Sequence, residues 1–514
     1  MKTENSFRAA LTSDSALLVY PAGCKLLLHL FAISHYGFFR DELYFIACSR
    51  HLAWGYVDMA PMVAWVAALS RWLMGDSLFA LRILPALAGA VLVWLTGGIA
   101  RELGGGRLAA FVAQLAVLVG GVYLAIDNFL SMNAFEQVLW TLAGYLVIRI
   151  INTGNQKLWI WFGVAAGLGL MTKHSTLFFG LAMFVGLLLT RERKAFAQKG
   201  IWMGGALALL IFLPNLIWQM QHGCPTIELL QNVKATGKNV VLSPMEFLLR
   251  QGFMLNPLTA PVWLLGLFFF FFHSAGKRYR ALGWSYLVLL ASFILMEAKD
   301  YYLAPFYPLL LTGGGVVWEP LLRRSKLALT AAVVLLGASG VLAALLTLPL
   351  LPPERYLKLM HGVGITPPRT EVSHTSEMPQ HLADQFGWEE MVEKVAGVYA
   401  SLPAEERAKA CIFAGNYGQA GAIDLFGEKY GLPKAVSGHQ NYFLWGARGC
   451  SGEVIITVGE PADDVRRSFE EVIEMARPYH PYAMPWENRN PICIARKPKF
   501  TSIQEVWPRV KEYR

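Results

Sequence analysis

Residues 327–348 read LALTAAVVLLGASGVLAALLTL, and residues 349–355 read PLLPPER. The first string carries no charge and is long enough, at 1.5 Å per helical residue, to cross a hydrocarbon core about 30 Å thick. The second ends it with Pro349, Pro352 and Pro353, and charges return beyond them. Counting outward from this junction, residues 1–349 hold 15 acidic and 26 basic side chains, whereas residues 350–514 hold 21 and 19. The whole chain is 55% hydrophobic and only 16% charged, against about 25% charged in soluble proteins. That deficit sits almost entirely before residue 350. A soluble enzyme, a disordered chain and a secreted disulfide scaffold are excluded there. The expected fold is a polytopic α-helical membrane domain, residues 1–349, followed by a small soluble α/β domain, residues 350–514.

Further apolar runs lie at 15–35, 78–100, 108–126, 133–151, 158–171, 176–190, 201–219, 258–273, 282–296 and 303–318. With 327–348 they predict about eleven crossings. The runs flanking Lys173-His174 are short enough to form one broken pair. Basic residues fix the orientation. With Lys2 and Arg8 inside, alternate short loops carry Arg101 and Arg107, Arg149 and Lys157, Arg191 to Lys194, Lys277 to Arg280, and Arg323 to Lys326. The opposite, outer side then holds the long loop 37–77, the loop from 221 to about 256, and the tail. The net charge of +9 is therefore mostly a topology signal rather than a nucleic-acid footprint. The first run continues without a cleavage site, so it reads as a retained anchor.

In the tail, 389–400 reads as a helix, 410–414 and 453–458 as strands, 462–476 as a polar helix, and 492–495 as a last strand. The turn Asn416-Tyr417-Gly418-Gln419-Ala420-Gly421 follows the first strand; it suits either a phosphate cradle or an ordinary strand-to-helix connection. Cys24, Cys48, Cys224, Cys411, Cys450 and Cys493 show no metal-ligand spacing. The last three allow one disulfide or remain buried thiols.

Ionisable groups gather on the outer side, where they are functional candidates. Arg40-Asp41-Glu42 is flanked by Phe38, Phe39, Tyr44 and Phe45: either two acids in a partly desolvated pocket, one able to act as general base, or a solvated helix start capped by Asp41. Asp58 precedes an interfacial helix over 62–73 and either orients substrate or caps that helix. Asp127 ends the third crossing, either as a further acid or as short-loop filler, and Glu136, within the next one, is expected to face the bundle. Lys173-His174 suits a phosphate or sugar acid, or snorkels to the headgroups. Lys299-Asp300-Tyr301-Tyr302 opens an apolar helix, a geometry for gripping an anionic headgroup.

At these residues the chain resembles a known family. Arg40-Asp41-Glu42-Leu43-Tyr44, the segment Gly55-Tyr56-Val57-Asp58-Met59-Ala60-Pro61, the segment Arg82-Ile83-Leu84-Pro85-Ala86-Leu87-Ala88-Gly89, and Lys299-Asp300-Tyr301-Tyr302-Leu303-Ala304-Pro305 look like bacterial GT-C glycosyltransferases. More narrowly they resemble the dolichyl-phosphate-mannose-protein-mannosyltransferase type, related to the aminoarabinose transferases of lipid A. The likeness covers residues 16–322. It implies an inner-membrane enzyme that moves a sugar from a polyprenyl-phosphate donor to a lipid or protein acceptor at the periplasmic face, with inversion. On that carry-over Asp41 deprotonates the acceptor, and Glu42 positions it or shares the role. Lys299, Tyr301 and Tyr302 hold the donor phosphate, with Lys173 and His174 as further candidates; Arg40, Asp58 and Asp127 contact substrate. No cofactor is required and a divalent cation is optional. One departure stands out: the aminoarabinose transferases carry Lys-Pro-Pro where this chain has Met59-Ala60-Pro61. The competing reading is a transporter or flippase of a lipid-linked sugar. Such folds favour polar sites at the bilayer midplane and internal repeats, whereas here the acids cluster at one boundary.

Overall fold

The structure, a computed structural model, describes residues 13–514. Lys2 and Arg8, which help set the orientation, lie outside the described residues. The described residues divide into two compact units: residues 13–35, 79–216 and 241–351 form one, and residues 36–78, 217–240 and 352–514 the other.

The first unit is a helical bundle. Among the described residues, five helices are long and apolar enough to cross a membrane: Asp14–Ala32, Leu78–Glu102, Met132–Thr153, Lys199–Gln221 and Lys326–Thr347. A sixth candidate is the pair Pro244–Met254 and Pro257–Phe271, bent by 94°. The other apolar runs fold as shorter helices, among them Arg107–Leu118, Leu158–Thr172 and Thr176–Leu188, with Arg280–Leu295 and Tyr307–Arg323. The break between Leu158–Thr172 and Thr176–Leu188 falls at Lys173, whose backbone is extended. Small residues let these helices approach, since apolar association inside a membrane rests on packing. A Cβ on Gly266 would sit 1.8 Å from the Leu310 carbonyl oxygen, and one on Gly314 equally close to that of Val262.

The second unit is built on a four-stranded sheet of order β1-β2-β4-β3, with β1 Cys411–Ala414, β2 Val454–Val458, β3 Phe469–Ala476 and β4 Ile492–Pro498. The first pair is parallel and the other two antiparallel. Helices Trp388–Ser401 and Tyr417–Phe426 accompany the sheet. Cys411 and Cys450 form a disulfide; Cys493 is free. One expectation is corrected here. The predicted polar helix over 462–476 is a short helix, Ala462–Arg466, followed by strand β3. Glu470, Glu471, Glu474 and Met475 favour helix locally, but Val472 and Ile473 pair with Ala495 and Ile494, and tertiary pairing overrides the local preference.

The earlier segments of this unit are tied to the tail by hydrogen bonds. The Val57 amide donates to Asn441 Oδ1 (2.7 Å), Gln219 Nε2 to the Tyr56 carbonyl (3.1 Å), and the Val240 amide to the Thr370 carbonyl (3.2 Å). Helix Arg40–Arg50 lies against helix Tyr417–Phe426, where the glycines of the Asn416–Gly421 turn are used. A Cβ on Gly421 would meet the Leu43 backbone carbon and oxygen at 2.8 Å, and one on Gly418 the Arg40 Cγ at 2.5 Å. Asn416 caps the helix by accepting from the Gly418 and Gln419 amides. That accounts for the motif as a strand-to-helix connection packed on a second helix.

Candidate functional site

The Arg40-Asp41-Glu42 triplet opens helix Arg40–Arg50, and the three side chains go three ways. Phe39 is the N-cap, and Glu42, at the third helical position, accepts from the Phe39 amide at 2.8 Å. Glu42 is fully buried, so it anchors the helix start; Asp41 is not the cap. Asp41 keeps a side chain 35% exposed. Its Oδ1 accepts from the Tyr417 hydroxyl at 2.7 Å and lies 3.6 Å from Arg40 Nε. Oδ2 has no partner among the described residues.

Arg40 is buried and lies over the rings of Tyr417 and Trp486, 5.0 Å from each centroid. Its Nη2 donates to the Tyr417 hydroxyl at 2.9 Å. Around it stand Asp384 and Glu487, whose carboxyls burial pushes up to about 6 and about 7, with Arg40 opposing the rise. Glu487 accepts from Asn416 Nδ2 (3.0 Å) and Gln419 Nε2 (2.9 Å). Asp58 accepts from the Tyr44 hydroxyl at 2.9 Å, and burial raises its carboxyl to about 6. It does not cap helix Met62–Met74, whose N-cap is Pro61. Tyr417 stacks on His439 (centroids 4.9 Å apart) and on Tyr44 (4.7 Å). The Tyr417 amide donates to His439 Nδ1 at 3.2 Å, which leaves the ring proton on Nε2, 3.3 Å from the Arg514 carbonyl. Burial lowers His439 to about 3, so it stays neutral.

In the first unit the structure joins two of the predicted groups. Lys173 Nζ lies 4.1 Å from the Tyr302 ring centroid and 5.5 Å from that of Tyr301. It donates to Asn133 Oδ1 (2.8 Å) and Glu136 Oε2 (3.1 Å), and Ser175 donates to the other Glu136 oxygen. His174 is drawn elsewhere, its Nε2 lying 3.1 Å from Asn215 Oδ1. Lys299 is the N-cap of the short helix Asp300–Phe306 and is partly buried. Arg250 reaches Asp300 at 3.4 Å, a second cation beside this segment that sequence reading missed. Gln251 braces the same segment, donating to the Asp300 carbonyl (3.2 Å) and accepting from the Tyr307 hydroxyl (3.2 Å). Asp127 is fully buried: it pairs with Lys25 at 3.0 Å and accepts from Gln137. Lys25 in turn donates to the Tyr123 carbonyl at 2.9 Å. Among the described residues, no three His, Cys, Asp or Glu side chains are placed to hold a metal ion.

Comparison with known proteins bears out the resemblance read from the motifs. The family model described as dolichyl-phosphate-mannose-protein mannosyltransferase matches residues 58–218. The chain is similar to the lipid A galacturonosyltransferase RgtD of Rhizobium johnstonii, 26% identical over 197 residues, or 38% of this chain and 41% of that protein. It is similar also to a polyprenol-phosphate-mannose–protein mannosyltransferase of Corynebacterium glutamicum, 28% identical over 200 residues, or 32% and 38%. The chain thus spans less than half the length of these curated relatives. A crystal structure of ArnT from Cupriavidus metallidurans bound to undecaprenyl phosphate superposes with a TM-score of 0.61 at 14% identity, covering 93% of this chain and 97% of that one. That likeness shows a shared fold.

Proposed function

We propose that this chain, similar over residues 58–218 to the protein-mannosyltransferase family, is an integral-membrane glycosyltransferase. It uses a polyprenyl-phosphate-linked sugar as donor and glycosylates a lipid or protein acceptor at the periplasmic face of a bacterial inner membrane. In this reading the shorter apolar helices complete the set of about eleven crossings. The observation that carries the proposal is Asp41, a carboxylate with Oδ1 held by Tyr417 and Arg40 and Oδ2 open. A general base needs this: one oxygen fixed, the other within reach of a hydroxyl.

The reaction assigned is a single displacement. Asp41 takes the acceptor hydroxyl proton, and the acceptor oxygen bonds to the anomeric carbon from the face opposite the phosphate. The bond from that carbon to the phosphate oxygen breaks, its electron pair leaving with polyprenyl phosphate, so the anomeric centre inverts. Charge grows on the leaving phosphate, and fixed cations there act mainly on the transition state. Lys299, Tyr301 and Tyr302 take that task, with Lys173 over the two rings and Arg250 on Asp300. Glu42 serves by anchoring the helix start that presents Asp41. The test is mass spectrometry of envelope lipids, lipopolysaccharide and glycoproteins from cells with and without the chain. One sugar missing without it names the acceptor. Identical profiles contradict the proposal.

A further inference from the structure

Tyr417 lies 376 residues from Asp41 in sequence, on a helix of the tail. We infer that Tyr417 is a positioning residue for transfer, orienting the Asp41 carboxylate through its hydroxyl, so that the tail forms part of the active site. The inference rests on the assignment of Asp41 as base.

Hydrogen-bond bookkeeping fixes the direction of the contact. A guanidinium has donors only, so Arg40 Nη2, at 2.9 Å, uses a lone pair of the Tyr417 oxygen. The single phenolic proton is then free to go to Asp41 Oδ1, at 2.7 Å. Burial raises the Tyr417 phenol well above its ordinary range, and it remains a donor at any working pH. The ring cannot turn away, held between His439 at 4.9 Å and Tyr44 at 4.7 Å, with its amide on His439 Nδ1. Arg40 is itself braced between the rings of Tyr417 and Trp486. The arrangement therefore runs from a rigid aromatic stack, through one hydroxyl, to one oxygen of a partly exposed carboxylate. Rotation of Asp41 about its side-chain bonds would break the hydrogen bond. The contact thereby commits one carboxylate oxygen and leaves the other for the acceptor. Purely structural packing would need the ring and not the hydroxyl.

That difference supplies the experiment. The full chain is reconstituted in lipid, and transfer is followed with the polyprenyl-phosphate-sugar fraction of the host's own membranes, titrated by phosphate content. Tyr417→Phe keeps the ring and loses the hydroxyl; Tyr417→Leu loses both; Asp41→Asn removes the base. The expected result for Tyr417→Phe is a wild-type melting temperature and a maximal rate down about 10- to 100-fold, the range for losing a hydrogen bond to a charged group that sets alignment. Its half-saturating donor concentration stays within about twofold, since an orientation defect acts after binding. Tyr417→Leu loses stability as well, and adding Tyr417→Phe to Asp41→Asn lowers transfer no further. An inactive Asp41→Asn beside a fully active Tyr417→Phe overturns the inference and leaves the base assignment standing. A melting temperature lowered in Tyr417→Phe in step with its loss of transfer overturns it in favour of a structural role for the hydroxyl. Undiminished transfer by Asp41→Asn removes the base assignment and this inference together.

Discussion

The contact between helices Arg40–Arg50 and Tyr417–Phe426 offers a geometric lever on the site that alters no polar side chain. Gly421→Ala adds one methyl where the Leu43 backbone carbon and oxygen lie 2.8 Å away. Ordinary contact begins at 3.4 Å, so the helices must part by about 0.6 Å. Backbone, unlike a flexible side chain, cannot swing aside. Overpacking of this kind costs about 1–3 kcal/mol, and the better helix propensity of Ala returns about 1 kcal/mol. The net is a loss of up to about 2 kcal/mol. The same displacement stretches the Tyr417–Asp41 hydrogen bond from 2.7 Å to about 3.3 Å, outside the normal range for a hydroxyl donor. Transfer should fall about tenfold, with melting temperature lowered by a few degrees. Gly397→Ala, on helix Trp388–Ser401 with nothing within 4 Å of the added carbon, is the control. It gains about 0.5–1 kcal/mol of stability and leaves transfer unchanged. The assays are thermal unfolding of the purified chain and initial transfer rates of the same preparations. Full activity with raised stability in Gly421→Ala would refute the packing argument.

Two further outcomes follow from the ionisable groups. Glu487, held near 7 by burial, binds a proton in the folded chain at pH values where the unfolded chain has released it. Stability is therefore fully present below about 4.5 and declines as pH rises through about 7, by about 3 kcal/mol if this group acted alone; Glu487→Gln should flatten that part of a melting-temperature profile, and an unchanged slope would count against it. Lys173→Met leaves Glu136, 1% exposed, without its cation, costing about 3–5 kcal/mol. Adding Glu136→Gln should restore the melting temperature but not transfer, whereas recovery of both would reduce Lys173 to a structural ion pair.

What could be read from the amino-acid string followed local pattern. The apolar runs, the break at Lys173 and three of the four strands are set by runs and breakers within a few residues. Strand β3 was not legible, because Phe469–Ala476 is glutamate-rich and becomes a strand only by pairing with Ile492–Pro498. The acid pair was legible as a pair, but its division of labour was not. Glu42 is spent on the Phe39 amide and Asp41 is held by a tyrosine from the tail, a long-range contact with no local signature. Tyr417 stood in a glycine-rich turn that invited a phosphate reading, and its glycines serve helix packing instead. Lys25, a lone cation in the first apolar run, was the available sign that Asp127 has a buried partner.

The central claim is that Asp41 is the base of a sugar transfer from polyprenyl phosphate. Its most direct test is to reconstitute the wild-type chain and Asp41→Asn in lipid, supply the host's polyprenyl-phosphate-sugar and acceptor fractions, and measure by mass spectrometry both the glycosylated acceptor and the freed polyprenyl phosphate. The account predicts that the wild type forms the two products in equal amounts and that Asp41→Asn, folded and inserted at wild-type levels, forms neither. Transfer by Asp41→Asn at the wild-type rate would contradict it.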